Sequence, residues 1–170
     1  KDLYCKNIAE IIGSEIEKVQ DWGIREMYEY ATSLGQNVWF FVLFGYDLFG
    51  GRDYKKVLDA AIAVELLYKF TLLHDDIVDD AEFRKNKKAF HTQYDNNKGI
   101  LVGDFLAAHA FSKICRVVQE YDAKMANKCY KLLSDMYSNL SLGELKDEIW
   151  KGKIGLDERE CIEIIELKTA

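Results

Sequence analysis

The stretch Leu72-Leu73-His74-Asp75-Asp76-Ile77-Val78-Asp79-Asp80 decides the fold of this chain. Apolar side chains dominate the residues before it, from Ala60 to Leu73, so the acidic run continues a buried helix rather than a loop. Asp75 and Asp79 are four residues apart, which places them on one face of that helix. No basic residue at helical spacing neutralises them, and a hard cation would relieve their repulsion. Mg²⁺ is the candidate, because it binds one or two carboxylates and keeps several waters.

An acidic cluster at a helix end is usually solvated surface, and that alternative stays open on composition alone. The apolar flank favours a site, because a core helix that ends in a carboxylate pair directs the pair into a cavity or to its rim.

The composition favours a single all-α domain. The 170 residues, 49% of them hydrophobic, suffice to bury one core, so we expect one domain over residues 1–170. The chain has no proline, which helical folds tolerate better than β-rich folds that use proline in turns. Helical periodicity runs from end to end and predicts an all-α bundle.

Glycines and polar runs separate the expected helices. A mostly polar loop is expected over residues 83–98, and Asp157 is expected to cap the last helix. The helical segments are residues 2–22, residues 24–49 with a break near Gly35, then 54–80, 99–120, 122–150 and a final helix from about 157.

Charge and cysteine content exclude several classes of protein. A net charge of −6 argues against nucleic acid as a partner. The four cysteines are far apart and form no C-x-x-C pair, which favours reduced thiols in a cytoplasmic protein over a zinc site or a disulfide framework. The start carries no signal-peptide pattern, and the most apolar run, residues 38–44, is too short to span a bilayer. We therefore do not expect a protein integral to a membrane.

A cluster of basic residues follows the acidic run. Arg84, Lys85, Lys87 and Lys88 lie within a turn or two of it. Carboxylates that hold Mg²⁺ beside such cations form the arrangement that a diphosphate needs, because the metal bridges phosphate oxygens and Arg or Lys takes the remaining charge. Both would assist a diphosphate that leaves an allylic carbon. The alternative is a lysine-rich loop that only keeps the chain soluble.

These residues, in their order along the chain, resemble the trans-isoprenyl diphosphate synthases, the polyprenyl synthetase family. The resemblance covers most of the chain and is loose before Tyr54. It rests on five landmarks, Asp75-Asp76-x-x-Asp79, Phe83-Arg84-Lys85-Asn86, Gly103-Asp104, Gly143-Glu144-Leu145-Lys146-Asp147 in place of the family's Gly-Gln-x-x-Asp, and Lys168-Thr169-Ala170. It implies an isoprenoid synthase helical bundle, homodimeric assembly and a Mg²⁺-dependent prenyltransferase that acts on an allylic prenyl diphosphate.

The resemblance also implies roles for individual residues. Asp75 and Asp79, with Asp76 between them in the same motif, would bind Mg²⁺. Arg84 and Lys168 would hold the allylic diphosphate. Thr169 would lie beside Lys168 near the bond that ionises, and a bulky Phe70 would limit the product to a short chain. The alternative for Phe70 is a core position without any such role.

The sequence departs from the family where isopentenyl diphosphate would bind. Gln36 and Trp39 stand at the positions of the family's Lys and Arg, Tyr68 replaces a usual His, and Lys85 replaces the second Arg of an Arg-Arg pair. Neutral side chains cannot offset a diphosphate's charge. We therefore expect the metal and allylic side of the site to be retained and the isopentenyl diphosphate pocket to be largely lost.

The family also has a second aspartate-rich motif beyond its Lys-Thr, whereas this chain stops at Ala170. We expect an N-terminal part of the family's domain, incomplete at the C-terminus and inactive alone.

Three functions stay open at this point. The first is an isoprenyl diphosphate synthase that joins an allylic diphosphate to isopentenyl diphosphate. The second is a terpene synthase-like enzyme that ionises a single prenyl diphosphate, with Trp39, Phe40 and Phe41 available for cation–π contacts. The third is a non-catalytic partner subunit of a complete homologue. A helical bundle with incidental acidic residues is the non-enzymatic alternative.

Overall fold

The structure, a computed structural model, describes residues 11–14, 16–17, 19–119, 121–155 and 157–169. A helix is expected over residues 2–22. Residues 11–14 and 16–17 are helical, and the other residues of this range up to residue 18 lie outside the described residues. The helix does not extend to residue 22, because Val19, Gln20 and Asp21 are not helical. Asp21 instead caps the next helix, where its side chain accepts a hydrogen bond from the Ile24 N–H.

The regular secondary structure of the described residues is helical apart from one small hairpin, which confirms the all-α class. The elements are α1 (Trp22–Ser33), α2 (Trp39–Leu48), a 3₁₀ turn (Tyr54–Val57), α3 (Leu58–Val78), β1 (Phe83–Arg84), β2 (Lys87–Lys88), α4 (Phe90–Gln93), α5 (Asn96–Gln119), α6 (Ala123–Trp150) and α7 (Glu158–Thr169). None of these helices is long and apolar enough to cross a bilayer.

The chain divides into two compact units, Lys1–Glu120 and Tyr121–Ala170. In the first unit α3 packs along α5, and their contact is close because α5 carries glycines on the facing side. A Cβ at Gly103 would lie 2.4 Å from His74 Nε2, so any other residue there would have to displace the His74 ring. The buried side chains on these two helices include Leu66, Leu73, Leu106, Ala107 and Ala110.

In the second unit α6 packs against α7. Both helices begin at residues that cap them. Asp122 accepts a hydrogen bond from the Met125 N–H. Asp157 accepts one from the Glu160 N–H while the Glu160 side chain accepts one from the Asp157 N–H, and this capping box confirms the expected cap.

The break expected near Gly35 is confirmed. Helix α1 ends at Ser33, and Gly35 adopts a left-handed φ of 72° before α2 begins at Trp39.

The prediction of a mostly polar loop over residues 83–98 is wrong. Phe83 pairs with Lys88 and Arg84 with Lys87 in an antiparallel hairpin, and Lys85 turns the chain at a φ of 55°. Helix α5 begins at Asn96 rather than at Gly99, because Asp95 accepts a hydrogen bond from the Lys98 N–H and so extends the helix start.

Candidate functional site

The acidic run lies at the C-terminal end of α3, as expected, but Arg84 already neutralises part of it. The Arg84 guanidinium on β1 donates from Nε to both Asp76 carboxylate oxygens at 2.8 and 2.9 Å, and from Nη2 to Asp75 Oδ2 at 2.6 Å. The repulsion that we expected between the carboxylates is therefore relieved by Arg84. This cation lies on the hairpin rather than at helical spacing along α3. Hydrogen bonding to Asp76 raises the pKa of Arg84, so the guanidinium stays charged.

The three acidic residues of the motif differ in their surroundings. The Asp76 side chain is 1% exposed and is held by Arg84, whereas the Asp75 side chain is 30% exposed. Asp79 is exposed and lies one turn after Asp75, since its N–H donates to the Asp75 carbonyl at 2.9 Å. Helix α3 ends here because Asp80 takes a left-handed φ of 52°. Of the three carboxylates of the motif, Asp75 and Asp79 are thus the two that solvent reaches.

The carboxylate oxygens at this end of α3 are the type of ligand that Mg²⁺ binds. No group of three or more His, Cys, Asp or Glu within the described ranges is arranged to hold a metal ion. Mg²⁺ does not require such a group, because it binds proteins through one or two carboxylates and completes its shell with waters and substrate phosphates. Asp75 and Asp79 fit that requirement. Asp76 is committed to Arg84 and fixes the guanidinium.

Phe70 is buried in the contact between α3 and α5. Its ring meets the His74 ring edge-on with centroids 4.5 Å apart. The His74 Nε2 lies 3.2 Å from the Ile100 carbonyl and 3.8 Å from Asp104 Oδ1. Sequence reasoning did not identify His74 as a residue that contacts α5. Its position directly before Asp75 and Asp76 could have indicated it. The effect of Phe70 on product length stays a prediction.

An apolar cavity of about 380 Å³ lies between α1 and α5, lined in part by Ile24, Tyr28, Leu101 and Phe105. Neither Phe70 nor Asp75 lines it. This cavity is therefore separate from the acidic helix end, and it is not the cavity expected beside the carboxylates.

Gln36 and Trp39 lie along the connection from α1 to α2, and Tyr68 of α3 lies next to Gly35 in that connection. Gln36 is exposed, Trp39 is half-buried at the first position of α2, and a Cβ on Gly35 would lie 3.8 Å from the Tyr68 ring.

Two buried charges beneath this connection were missed by sequence reasoning. Lys69 Nζ donates to the Leu34 carbonyl at 2.6 Å and the Gln36 carbonyl at 2.8 Å, and lies 3.0 Å from Glu65 Oε1. Glu65 Oε2 accepts from the Val38 and Trp39 N–H groups at 2.6 and 3.1 Å. Burial lowers the pKa of Lys69, and Glu65 opposes that effect. Glu65 and Lys69 are charged residues within the otherwise largely apolar stretch of α3, and this pattern could have indicated a buried ion pair.

The hairpin contacts the end of α1. Lys87 Nζ donates to Ser33 Oγ at 2.9 Å, and the Tyr30 hydroxyl donates to the Lys88 carbonyl at 2.9 Å. Lys85 is exposed at the turn. Lys85 and Lys87 are near enough to Lys69 that their charges add to the lowering of its pKa.

Lys168 lies in the second unit, in an ion cluster with α6. Its Nζ is 2.6 Å from Asp147 Oδ2 and 3.0 Å from Glu144 Oε2. Burial alone would lower the pKa of Lys168, but the hydrogen bonds and charges of Asp147 and Glu144 outweigh it and raise the pKa strongly. A Cβ on Gly143 would lie 2.9 Å from the Lys168 backbone nitrogen, so this glycine sets the approach of the helices. The side chain of Thr169 is outside the described residues.

Comparison with known proteins extends the resemblance. The geranylgeranyl diphosphate synthase of Saccharolobus solfataricus is 33% identical over 124 residues, which are 73% of this chain and 37% of that protein. The corresponding enzyme of Sulfolobus acidocaldarius is 28% identical over 99% of this chain and 52% of its own length. Component 2 of the heptaprenyl diphosphate synthase of Bacillus subtilis is 28% identical over 72% of this chain and 33% of its own length. The chain thus spans between a third and about half of the length of these relatives.

Solved structures show the same fold. A geranylgeranyl pyrophosphate synthetase from Geoglobus acetivorans matches with a TM-score of 0.85 and 27% identity, over 96% of this chain and 53% of the other. A geranyltranstransferase from Thermotoga maritima matches with a TM-score of 0.82 and 29% identity, over 99% of this chain and 62% of the other. The model of the polyprenyl synthetase family matches residues 23–170. The chain therefore belongs to the polyprenyl synthetase family.

Proposed function

We propose that this protein is a Mg²⁺-dependent isoprenyl diphosphate synthase that acts on an allylic prenyl diphosphate in isoprenoid biosynthesis. The observation that carries the proposal is the convergence of Asp75, Asp76 and Arg84 at the end of α3, in a chain whose relatives are named as prenyl diphosphate synthases. The cysteine pattern favours a cytoplasmic location, and the family resemblance implies a homodimer.

The proposed roles follow from exposure and charge. Asp75 and Asp79 would hold Mg²⁺, which neutralises a diphosphate and makes it a better leaving group. Arg84 is partly exposed and keeps its charge, so its guanidinium can bind diphosphate oxygens while Asp76 fixes its position. Lys168 is assigned to the same diphosphate by the family resemblance, as a second charged donor.

Turnover is the direct test. The full-length encoded protein is incubated with Mg²⁺, radiolabelled isopentenyl diphosphate and farnesyl diphosphate, and the extractable product is counted. We expect incorporation by the wild type and its loss in Asp75→Asn. A wild type that incorporates no label would reject the proposal.

Binding can be tested separately from turnover. A ligand that binds only the folded state raises the unfolding temperature by mass action. We expect Mg²⁺ together with inorganic pyrophosphate to raise it, and the Arg84→Gln variant to show a smaller rise. No rise in the wild type would favour a helical bundle with incidental acidic residues.

A terpene synthase-like reaction is the second candidate, favoured by the neutral connection between α1 and α2. Gln36 and Trp39 carry no charge, and the Trp39, Phe40 and Phe41 rings form a series with centroid separations of 6.4 and 4.0 Å. Such rings can stabilise a carbocation. Farnesyl diphosphate alone should then yield a hydrocarbon or alcohol and release pyrophosphate.

A partner-subunit role is the third candidate, and it is supported by the relative named as component 2 of a heptaprenyl diphosphate synthase. It predicts no turnover in either assay, together with co-purification of a complete homologue.

A further inference from the structure

The 34–39 segment, Leu34–Trp39, consists of the connection from α1 to α2 and the first residue of α2, and it is held by two side chains of α3. Its backbone lacks the regular hydrogen bonds of a helix, and unpaired backbone groups are costly when they are buried. Lys69 donates hydrogen bonds to two of its carbonyls, those of Leu34 and Gln36, and Glu65 accepts hydrogen bonds from two of its N–H groups, those of Val38 and Trp39. One buried ion pair thus satisfies four backbone groups of a six-residue segment.

The burial of this pair determines what it can do. The Lys69 and Glu65 side chains are 1% and 3% exposed. Lys69 carries three protons, and two carbonyls and the Glu65 carboxylate accept them. The ammonium therefore has no donor left for a substrate, and it acts through the backbone that it holds. Glu65 also places negative charge at the N-terminus of α2, where the helix dipole favours it.

The held segment presents a defined surface. Gly35 has a left-handed φ of 72°, and a Cβ there would lie 2.3 Å from Leu72 Cδ1, so any other residue would be strained at this position. Gln36 is exposed beside it. The Lys87–Ser33 hydrogen bond keeps the hairpin against the end of α1, next to the segment. A small displacement of the backbone would therefore move Gln36 and Trp39 relative to the hairpin lysines.

We propose that Lys69 is a positioning residue that fixes the 34–39 segment in the conformation that binds the second diphosphate substrate. The inference rests on the proposed function, because only the family resemblance assigns the segment to isopentenyl diphosphate, and it requires that this pocket keeps affinity for the substrate although Gln36 and Trp39 are neutral. Lys69 contributes no bond to that substrate and is not a catalytic residue.

The central test is Lys69→Met, with Lys113→Met as the matched control. Lys113 is also 1% exposed and pairs with Asp59 at 3.7 Å, so its loss removes another buried ammonium from the same unit. We expect Lys69→Met to raise the KM for isopentenyl diphosphate at least tenfold and to change the KM for the allylic diphosphate less than twofold. Lys113→Met should change neither. Equal increases in both KM values, or the same pattern in the control, would overturn the inference.

A second variant guards against simple misfolding. Lys69→Met leaves Glu65 as an uncompensated buried carboxylate, which is strongly destabilising. Glu65→Gln/Lys69→Met removes that charge while still lacking the bonds to Leu34 and Gln36. We expect the double variant to regain stability and to keep the raised KM for isopentenyl diphosphate. A double variant with a normal KM would show that Lys69 does not position the segment.

Amide exchange separates this inference from the proposed function. The Val38 and Trp39 amides should be protected in the wild type and exchange at least tenfold faster in the double variant, with or without turnover. Unchanged protection would overturn the positioning role. An inactive wild type with normal protection would instead reject the proposed function, and the assignment of the segment to a substrate with it.

Discussion

The two aspartates that bind Arg84 differ in burial and in the number of hydrogen bonds that they accept from it. Asp76 is buried and receives two hydrogen bonds from the guanidinium, while Asp75 is partly exposed and receives one. The stability of the first unit should therefore depend on Asp76 more than on Asp75.

We expect Asp76→Asn to lower the free energy of unfolding by about 1.5–3 kcal/mol, the range for hydrogen bonds to charged groups. Asp75→Asn should lower it by less than about 1 kcal/mol, because that pair is partly solvated. Urea unfolding measures both. The reverse order would contradict the structure.

Lys168 pairs with two carboxylates, those of Asp147 and Glu144, whereas one carboxylate would neutralise its charge. Two carboxylates beside it oppose the approach of an anion. We expect Glu144→Gln to tighten the binding of inorganic pyrophosphate by about two- to fivefold, from ~0.5–1 kcal/mol for a half-exposed charge. Isothermal titration calorimetry measures the affinity. Glu148→Gln, which neutralises a carboxylate on the same helix that pairs with Lys151, should have no effect.

The raised pKa of Lys168 has a defined consequence for pH dependence. The pKa is higher in the folded state than the ordinary value of 10.5, so its stabilisation is present in full below pH 10.5 and is lost as pH rises above that value. We expect the stability difference between wild type and Lys168→Met to be constant at neutral pH and to shrink in strong alkali. Thermal unfolding at neutral pH and in strong alkali measures this stability difference. A stability difference that grows with pH would be inconsistent with the ion cluster.

At the scale of elements, helices were predictable wherever apolar residues repeat at helical spacing. The α3 helix and the break at Gly35 followed from that pattern. The hairpin did not, because strands of two residues show no alternation and Lys85 turns the chain without a glycine. The paired roles of Glu65 and Lys69 depend on a segment some thirty positions earlier, which periodicity cannot indicate.

Two helical glycines should respond to alanine in opposite directions. A Cβ on Gly143 would lie 2.9 Å from the Leu167 Cβ and from a backbone atom of α7, so Gly143→Ala should cost about 1–3 kcal/mol through overpacking. Gly45 in α2 has no atom within 4 Å of such a Cβ, so Gly45→Ala should stabilise by about 0.5–1 kcal/mol. Thermal unfolding compares them, and equal signs would contradict these contacts.

At the scale of the whole molecule, the family could be predicted from the order of its landmarks along the chain. The extent of the domain could not, because the chain spans only part of the length of its relatives. The expectation of one domain over residues 1–170 stays a prediction, and the three tryptophans offer a test. Trp22 and Trp39 lie in the first unit and Trp150 in the second.

A single domain predicts coincident unfolding of both units. Variants that keep only Trp39 or only Trp150, with phenylalanine at the other two positions, should report the same midpoint in urea by fluorescence. Separate midpoints would indicate that the two units unfold independently.

The Arg84 contact with Asp75 and Asp76 has a further consequence for how the protein is handled. Where clustered acids have no internal counterion, a bound ion often becomes part of the folding reaction, and such proteins unfold when it is stripped away. Here a side chain supplies the compensating charge. We therefore expect EDTA to abolish any turnover without changing the melting temperature, so that apo-protein can be prepared, stored and reconstituted without refolding.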